Sequence, residues 1–175
     1  MTALPNYLQM LIFQTLPDDS MAKTATLCLT EQVPAPPDSV FEFFSDPGCT
    51  KVLQPYVYKV EIVRRLFDAG VQEIHFRAWE KVPLLGGRWH QRNAIRANWR
   101  LSDPPRYMES RGYSFPGVHL HITYTFDPTE AGTTNLSLNI HFKAPGVLMP
   151  IVLREGEKAQ RELLKNLRKH FEEQA

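Results

Sequence analysis

Six strand-like runs follow one another with no long helix between them, and one long helix closes the chain. The runs are Tyr56 to Phe67, Val71 to Lys81, Arg88 to Leu101, Tyr107 to Ser114, Val118 to Phe126 and Asn135 to Lys143. Turn residues separate them: Asp68-Ala69-Gly70, Pro83 to Gly87, Asp103-Pro104-Pro105, Phe115-Pro116-Gly117 and Pro128 to Gly132. Connections this short make successive strands antiparallel neighbours. One more strand, Thr24 to Gln32, comes earlier and is stopped by Pro34, Pro36 and Pro37. Asp38 or Ser39 then caps a short helix through Val40, Phe41, Phe43 and Phe44, which Asp46-Pro47-Gly48 ends. A second helical turn is expected over 49–54, and the closing helix runs from about Pro150 to Phe171. A meander of this many strands curls around a single helix and leaves a space between sheet and helix.

The stretch Val33-Pro34-Ala35-Pro36-Pro37-Asp38-Ser39-Val40-Phe41-Glu42-Phe43-Phe44-Ser45-Asp46-Pro47, set in this element order, resembles the START/Bet v1-like (SRPBCC) superfamily. The resemblance spans about Thr24 to Phe171. It implies an α+β helix-grip fold: a curved antiparallel seven-stranded sheet wrapped around a long C-terminal helix, with two short helices after the first strand. It also implies a place among lipid carriers, hormone receptors and polyketide cyclases, without choosing between them. The expected domain is 24–175, with 1–23 as an N-terminal extension.

Alternation assigns the faces. In Arg88 to Leu101, the odd positions Trp89, Gln91, Asn93, Ile95, Ala97, Trp99 and Leu101 are the inward set, and His90, Arg92, Arg96, Asn98 and Arg100 point out. Ile74, Phe76 and Ala78 face in, as do Val118, Leu120, Ile122, Tyr124 and Phe126, and Leu136, Leu138, Ile140 and Phe142. In Tyr56 to Phe67 the better inward set is Tyr58, Val60, Ile62 and Leu66. Pairing Phe126 with Leu136, and Trp99 with Met108, keeps like faces together. On the long helix Val152, Gly156, Ala159, Leu163, Leu167 and Phe171 form one stripe. A glycine there costs about 1 kcal/mol relative to alanine. Small residues at Gly156 and Ala159 leave volume beside the sheet. That volume is either a cavity wall or room for a bulky strand residue such as Trp89 or Trp99.

The inward polar residues on this reading are Tyr58, Arg64, Gln72, Gln91, Asn93, Ser110, Ser114 and Tyr124. No carboxylate or histidine is among them, although acid–base work near neutral pH usually uses one. These groups either orient a ligand or bond one another and buried water. The expected ligand wall is Tyr58, Phe76, Trp89, Gln91, Asn93, Trp99, Ser110, Tyr124, Phe142, Gly156, Ala159 and Leu163. If the chain is an enzyme, Tyr124 donates to an enolate with Arg64 as electrostatic partner. Glu80, the carboxylate near the rim formed by the 79–87 hairpin, is then the general-base candidate. The apolar Val82, Leu84 and Leu85 make that hairpin a gate, or a contact for the N-terminal arm or a second subunit.

His119 and His121 make an H-x-H pair, with His141 opposite His121. Three imidazoles suit zinc, but parity puts them on the outer face, and no metal is expected. No Gly-rich phosphate loop, G-x-S-x-G, cysteine cluster or H-E-x-x-H occurs, so no cofactor is expected either.

Composition narrows the partners. The formal net charge is +1, which gives no reason to expect nucleic acid. No apolar run has transmembrane length. Cys28 and Cys49 have no disulfide or metal-motif spacing, which suits a reducing cytoplasm. Residues 1–20 carry Tyr7, Leu8, Leu11, Ile12 and Leu16 at helical spacing, without a basic n-region or an A-x-A-like site. They read as an arm packed on the domain, a lid, a partner-docking helix or the result of an upstream start before Met21. The foremost functional expectation is a monomer or homodimer that binds a small hydrophobic molecule of lipid, isoprenoid or polyketide type. Its rivals are a polyketide cyclase/dehydrase-like enzyme, acting mainly by positioning, and an interaction module with a filled core.

Overall fold

A computed structural model describes residues 22–84 and 89–174. Strand β1 (Ala22–Val33) leads to helix α1 (Pro37–Ser45), a 3-10 turn (Pro47–Cys49) and helix α2 (Thr50–Leu53). Six strands follow: β2 (Val57–Asp68), β3 (Val71–Leu84), β4 (Trp89–Asp103), β5 (Tyr107–Ser114), β6 (Val118–Pro128) and β7 (Thr134–Pro145). Helix α3 (Met149–Glu172) closes the chain. All seven strands form one antiparallel sheet in the order β1-β7-β6-β5-β4-β3-β2, so β1 and β2 are its edges. The expected extension over 1–23 lies outside the described residues, except that Ala22 and Lys23 already belong to β1.

The turns explain the meander. Asp68 pairs with Val71, and the two residues between them, Ala69 and Gly70, both have positive φ (47° and 80°). That is the backbone twist a two-residue hairpin requires. The expected side-chain cap on α1 is absent. Pro36 is the cap residue, Pro37 opens the helix with its preset φ, and Asp38 sits in the first turn, where its charge suits the helix dipole.

The register bears out most of the face assignments. Phe126 pairs with Leu136 and His121 with His141. Trp99 pairs with Ser110 rather than Met108, because β4 is irregular between Arg100 and Asp103; the two-residue shift preserves the face. Strand β2 differs more. It bulges between Val57 and Lys59 and again between Ile62 and Arg64. A bulge adds one residue and reverses parity beyond it. Ile62 therefore pairs with inward Phe76, but Arg64 pairs with His75 and Leu66 with Glu73, on the outer face.

One end of the interior is densely filled. Helix α1 lays Val40, Phe41 and Phe44 against the inner face. The Phe44 ring lies 5.0 Å from Tyr124 and 6.0 Å from Trp99, and Phe41 meets Phe126 edge-on at 5.3 Å. Leu163, Leu164, Leu167 and Phe171 of α3 complete this core. The Asn166 amide donates to the Leu53 carbonyl at 2.9 Å and ties α3 to α2.

Candidate functional site

Coverage of the inner face falls off toward the other end. Ile122, Tyr124, Leu138 and Ile140 are buried, whereas Ile95, Ala97, Gly112, Ser114 and Leu120 are only half-buried although they share that face. One row across the sheet runs Ile62, Phe76, Ala97, Gly112, Leu120, Phe142, Ala25. Ala97 and Gly112 are neighbours in the middle of it. Between the bulky rings of Phe76 and Phe142 they leave a depression. Among the described residues, an added Cβ at Gly112 would meet Leu120 and Ile95 at 3.8 and 3.9 Å, ordinary contact distances that leave room for a methyl at that point.

A polar network crosses the floor beside it. Ala78 faces in, so two residues along the strand Glu80 faces in as well and pairs with Asn93. The Asn93 amide donates to Glu80 Oε2 at 3.4 Å, and the Ser114 hydroxyl donates to Asn93 Oδ1 at 3.1 Å. The expectation of an inner face without a carboxylate is thereby corrected. Burial pushes the Glu80 carboxyl above the usual glutamate range, and the Asn93 hydrogen bond opposes that only in part. A carboxyl in such a place exchanges a proton nearer neutrality than a solvated one.

A second polar group lies deeper. Tyr124 is buried and lies near Ser110 and the Cys49 thiol. Burial holds its phenol well above the ordinary tyrosine range, so it stays protonated as a donor. Burial also pushes the Cys49 thiol up to about 12, with the Asp46 carboxylate adding to the effect.

Phe76, Trp99, Phe142 and Leu163 all reach the interior as expected, with Phe76 and Trp99 packed edge-to-face at 5.0 Å. Asn93, Ser110 and Ser114 face it half-buried. Gly156 lies against Phe142, so a sheet residue does fill the space beside it, and that residue is Phe142 rather than Trp99. Trp89 and Gln91 belong to β4, but their side chains are not among those described. Three residues are displaced from their expected places. Tyr58 falls at the first β2 bulge and is 52% exposed, and Arg64 faces outward beyond the second. Ala159 is exposed on α3, and its neighbour Gln160 turns inward instead. The stripe continues from Gly156 through Gln160 to Leu163, Leu164 and Leu167, a spacing of four and three that was readable in the sequence. The Gln160 side chain is buried, and its Oε1 accepts no hydrogen bond. The tip of the 79–87 hairpin and the arm over residues 1–21 lie outside the described residues.

The outer face holds the histidine group. His121 and His141 face each other with ring centroids 6.2 Å apart. Among the described residues, no group of three or more His, Cys, Asp or Glu is arranged to hold a metal. No described helix is long and apolar enough to cross a membrane.

Three comparisons place this architecture. A START superfamily protein from Mycobacterium smegmatis superposes with a TM-score of 0.68 at 15% identity, covering 86% of this chain and 99% of that one. The Zhui aromatase/cyclase from a Streptomyces species gives 0.58 at 22% identity, covering 83% and 94%. A protein from Thermus thermophilus gives 0.67 at 17% identity, covering 86% and 99%. At these identities the likeness is one of fold. A search of curated protein sequences found no match. The family model described as polyketide cyclase/dehydrase and lipid transport matches residues 24–172, nearly the whole described domain. The chain belongs to that polyketide cyclase/dehydrase and lipid transport family.

Proposed function

We propose that this chain binds a small, mostly apolar molecule in the half-covered part of the inner face, above Ala97 and Gly112. The observation that carries the reading is the contrast within one face. The interior is filled where α1 and the second half of α3 press on the sheet, and only partly covered over β4 to β6. Apolar walls supply affinity, and a few fixed polar groups set orientation. Phe76, Trp99 and Leu120 are the walls; Glu80, Asn93 and Ser114 are the polar groups, suited to a ligand hydroxyl or carbonyl. The family contains both lipid-transport and cyclase/dehydrase members, which supports this ligand class.

Native mass spectrometry of the purified chain, followed by solvent extraction, tests the proposal. A stoichiometric apolar adduct is expected. Ala97→Phe, which fills the depression, should lower that loading at least tenfold while far-ultraviolet circular dichroism stays unchanged. Equal loading of the Ala97→Phe chain overturns the placement.

A second reading, catalysis of cyclase/dehydrase type, is favoured by Glu80 itself. Its carboxyl is shielded, its proton is held above the ordinary range, and it faces the same space. In that reading Glu80 takes or returns a proton at carbon or oxygen of a bound polyketone, and the walls fold the chain. Tyr124 is too deeply buried to meet the same atoms. Turnover of a model polyketone that survives Glu80→Gln unchanged would remove this reading and leave binding intact.

A further inference from the structure

Exposed apolar side chains gather at one corner of the sheet. The turn over 115–117 precedes β6, and β7 ends at Pro145. An added Cβ at Gly117 would lie 3.7 Å from the Pro145 ring, so the turn and the strand end touch. The Leu148 amide donates to the Pro145 carbonyl at 2.9 Å in the tight turn that leads into α3. Phe115 stands on one side of this contact. Val147 in the tight turn and Ile151 in the first turn of α3 stand on the other. All three are more than half exposed, and Val147 reaches 73%. A cluster of apolar side chains in one place marks a surface that something covers.

The described chain starts at this same corner. Ala22, the first residue of β1, pairs with Pro145. The sequence just before it is strongly apolar. Within residues 7–16 only Gln9, Gln14 and Thr15 are polar, and none is charged. Segments that remain solvated are charged and poor in aromatic and branched residues, whereas this one holds Tyr7, Leu8, Leu11, Ile12 and Phe13. Pro17-Asp18-Asp19-Ser20 lies between it and β1, and these residues favour a chain reversal. The chain from Leu16 to Ala22 reaches about 20 Å at most, so the apolar segment is tethered close to Val147 and Ile151. Exposed Val63 and Phe67 offer it no rival seat, since they lie on β2, the opposite edge of the sheet.

We propose that residues 7–16 dock on this corner as an intramolecular cap. Leu8, Leu11 and Ile12, which share one face at helical spacing, lie on Val147 and Ile151 and beside Phe115. The chain's own segment is the occupant rather than a second copy, because a short tether holds it at an effective concentration of about millimolar.

Thiol reactivity in the full chain tests the cap. Val147→Cys and, separately, Ile151→Cys are made in the Cys28→Ser chain, where the buried Cys49 thiol stays unreactive in the native state. Ellman's reagent should modify each introduced thiol at least tenfold more slowly than in the same chain that also carries Leu8→Ser, Leu11→Ser and Ile12→Ser. Val63→Cys on β2 serves as the control and should react equally fast with either arm. The slow rate should persist on hundredfold dilution. A slow reaction that dilution releases assigns the corner to a second copy and overturns the proposal. Equal rates with both arms at both corner positions overturn it as well, and so does a slowing that Val63→Cys shares.

Discussion

The α-carbon of Gly156 faces the ring of Phe142 so closely that an added Cβ would lie 2.5 Å from Phe142 Cε1. The glycine in the middle of a 24-residue helix is thus the complement of a phenylalanine on β7. Gly156→Ala gains about 1 kcal/mol of helix propensity, but drives a methyl into a buried ring, an overpacking that costs about 1–3 kcal/mol. The expected net result is a chain destabilised by up to about 2 kcal/mol in urea unfolding. Phe142→Leu in the same chain should recover most of that loss, a coupling that a double-mutant cycle reads directly.

Glu80 makes stability depend on pH in a defined direction. Its folded carboxyl binds a proton more tightly than the unfolded chain does, because burial disfavours the charge. The contribution is therefore complete below the ordinary glutamate value and is lost as pH rises through the higher folded one. Thermal unfolding of the parent and of Glu80→Gln from pH 4 to 8 should show the parent falling relative to the variant as pH rises. A difference in Tm that is constant across the range would refute the assignment.

The two thiols should react very differently. Cys28 is exposed on β1, whereas Cys49 is buried with its thiol pushed up to about 12. Thiolate is the reactive form. Ellman's reagent at pH 8 should modify one thiol per native chain and both after denaturation. The Cys28→Ser chain should show no rapid native reaction.

Gln160 carries a buried carbonyl oxygen without a hydrogen bond. An unmet acceptor of this kind costs about 1–3 kcal/mol. Gln160→Leu should accordingly raise the stability of the ligand-free chain, by about 1 kcal/mol once packing differences are allowed for. Chemical denaturation of delipidated protein measures it.

The sequence carried the fold through its punctuation. Asp68-Ala69-Gly70 and the alternation in β4, β6 and β7 carried the strand order, the β6–β7 register and the outward position of the histidines, while the β4–β5 register was off by two residues. It failed where periodicity changes without a residue to announce it. Neither bulge of β2 contains a glycine or proline, so parity carried past Ile62 put Arg64 on the wrong face. On α3 the choice between Ala159 and Gln160 turned on hydrophobicity, and a glutamine was the less obvious inward residue. Glu80 was visible as a carboxylate near the rim, and the alternation that turns Ile74, Phe76 and Ala78 inward, carried two residues further, already put it on the inner face.

The bulges of β2 also matter beyond parity. An open sheet exposes the free amides and carbonyls of its last strand, and a straight edge of that kind recruits strands from other chains. Here the edge also carries apolar Val63 and Phe67, 56% and 77% exposed, which would favour such recruitment. Two irregularities within 12 residues break the even spacing that a foreign strand would need to read. Lys59, Glu61, Arg64 and Arg65 place charge along the same border. The kinks that misled the face assignment keep an otherwise adhesive margin from templating aggregation.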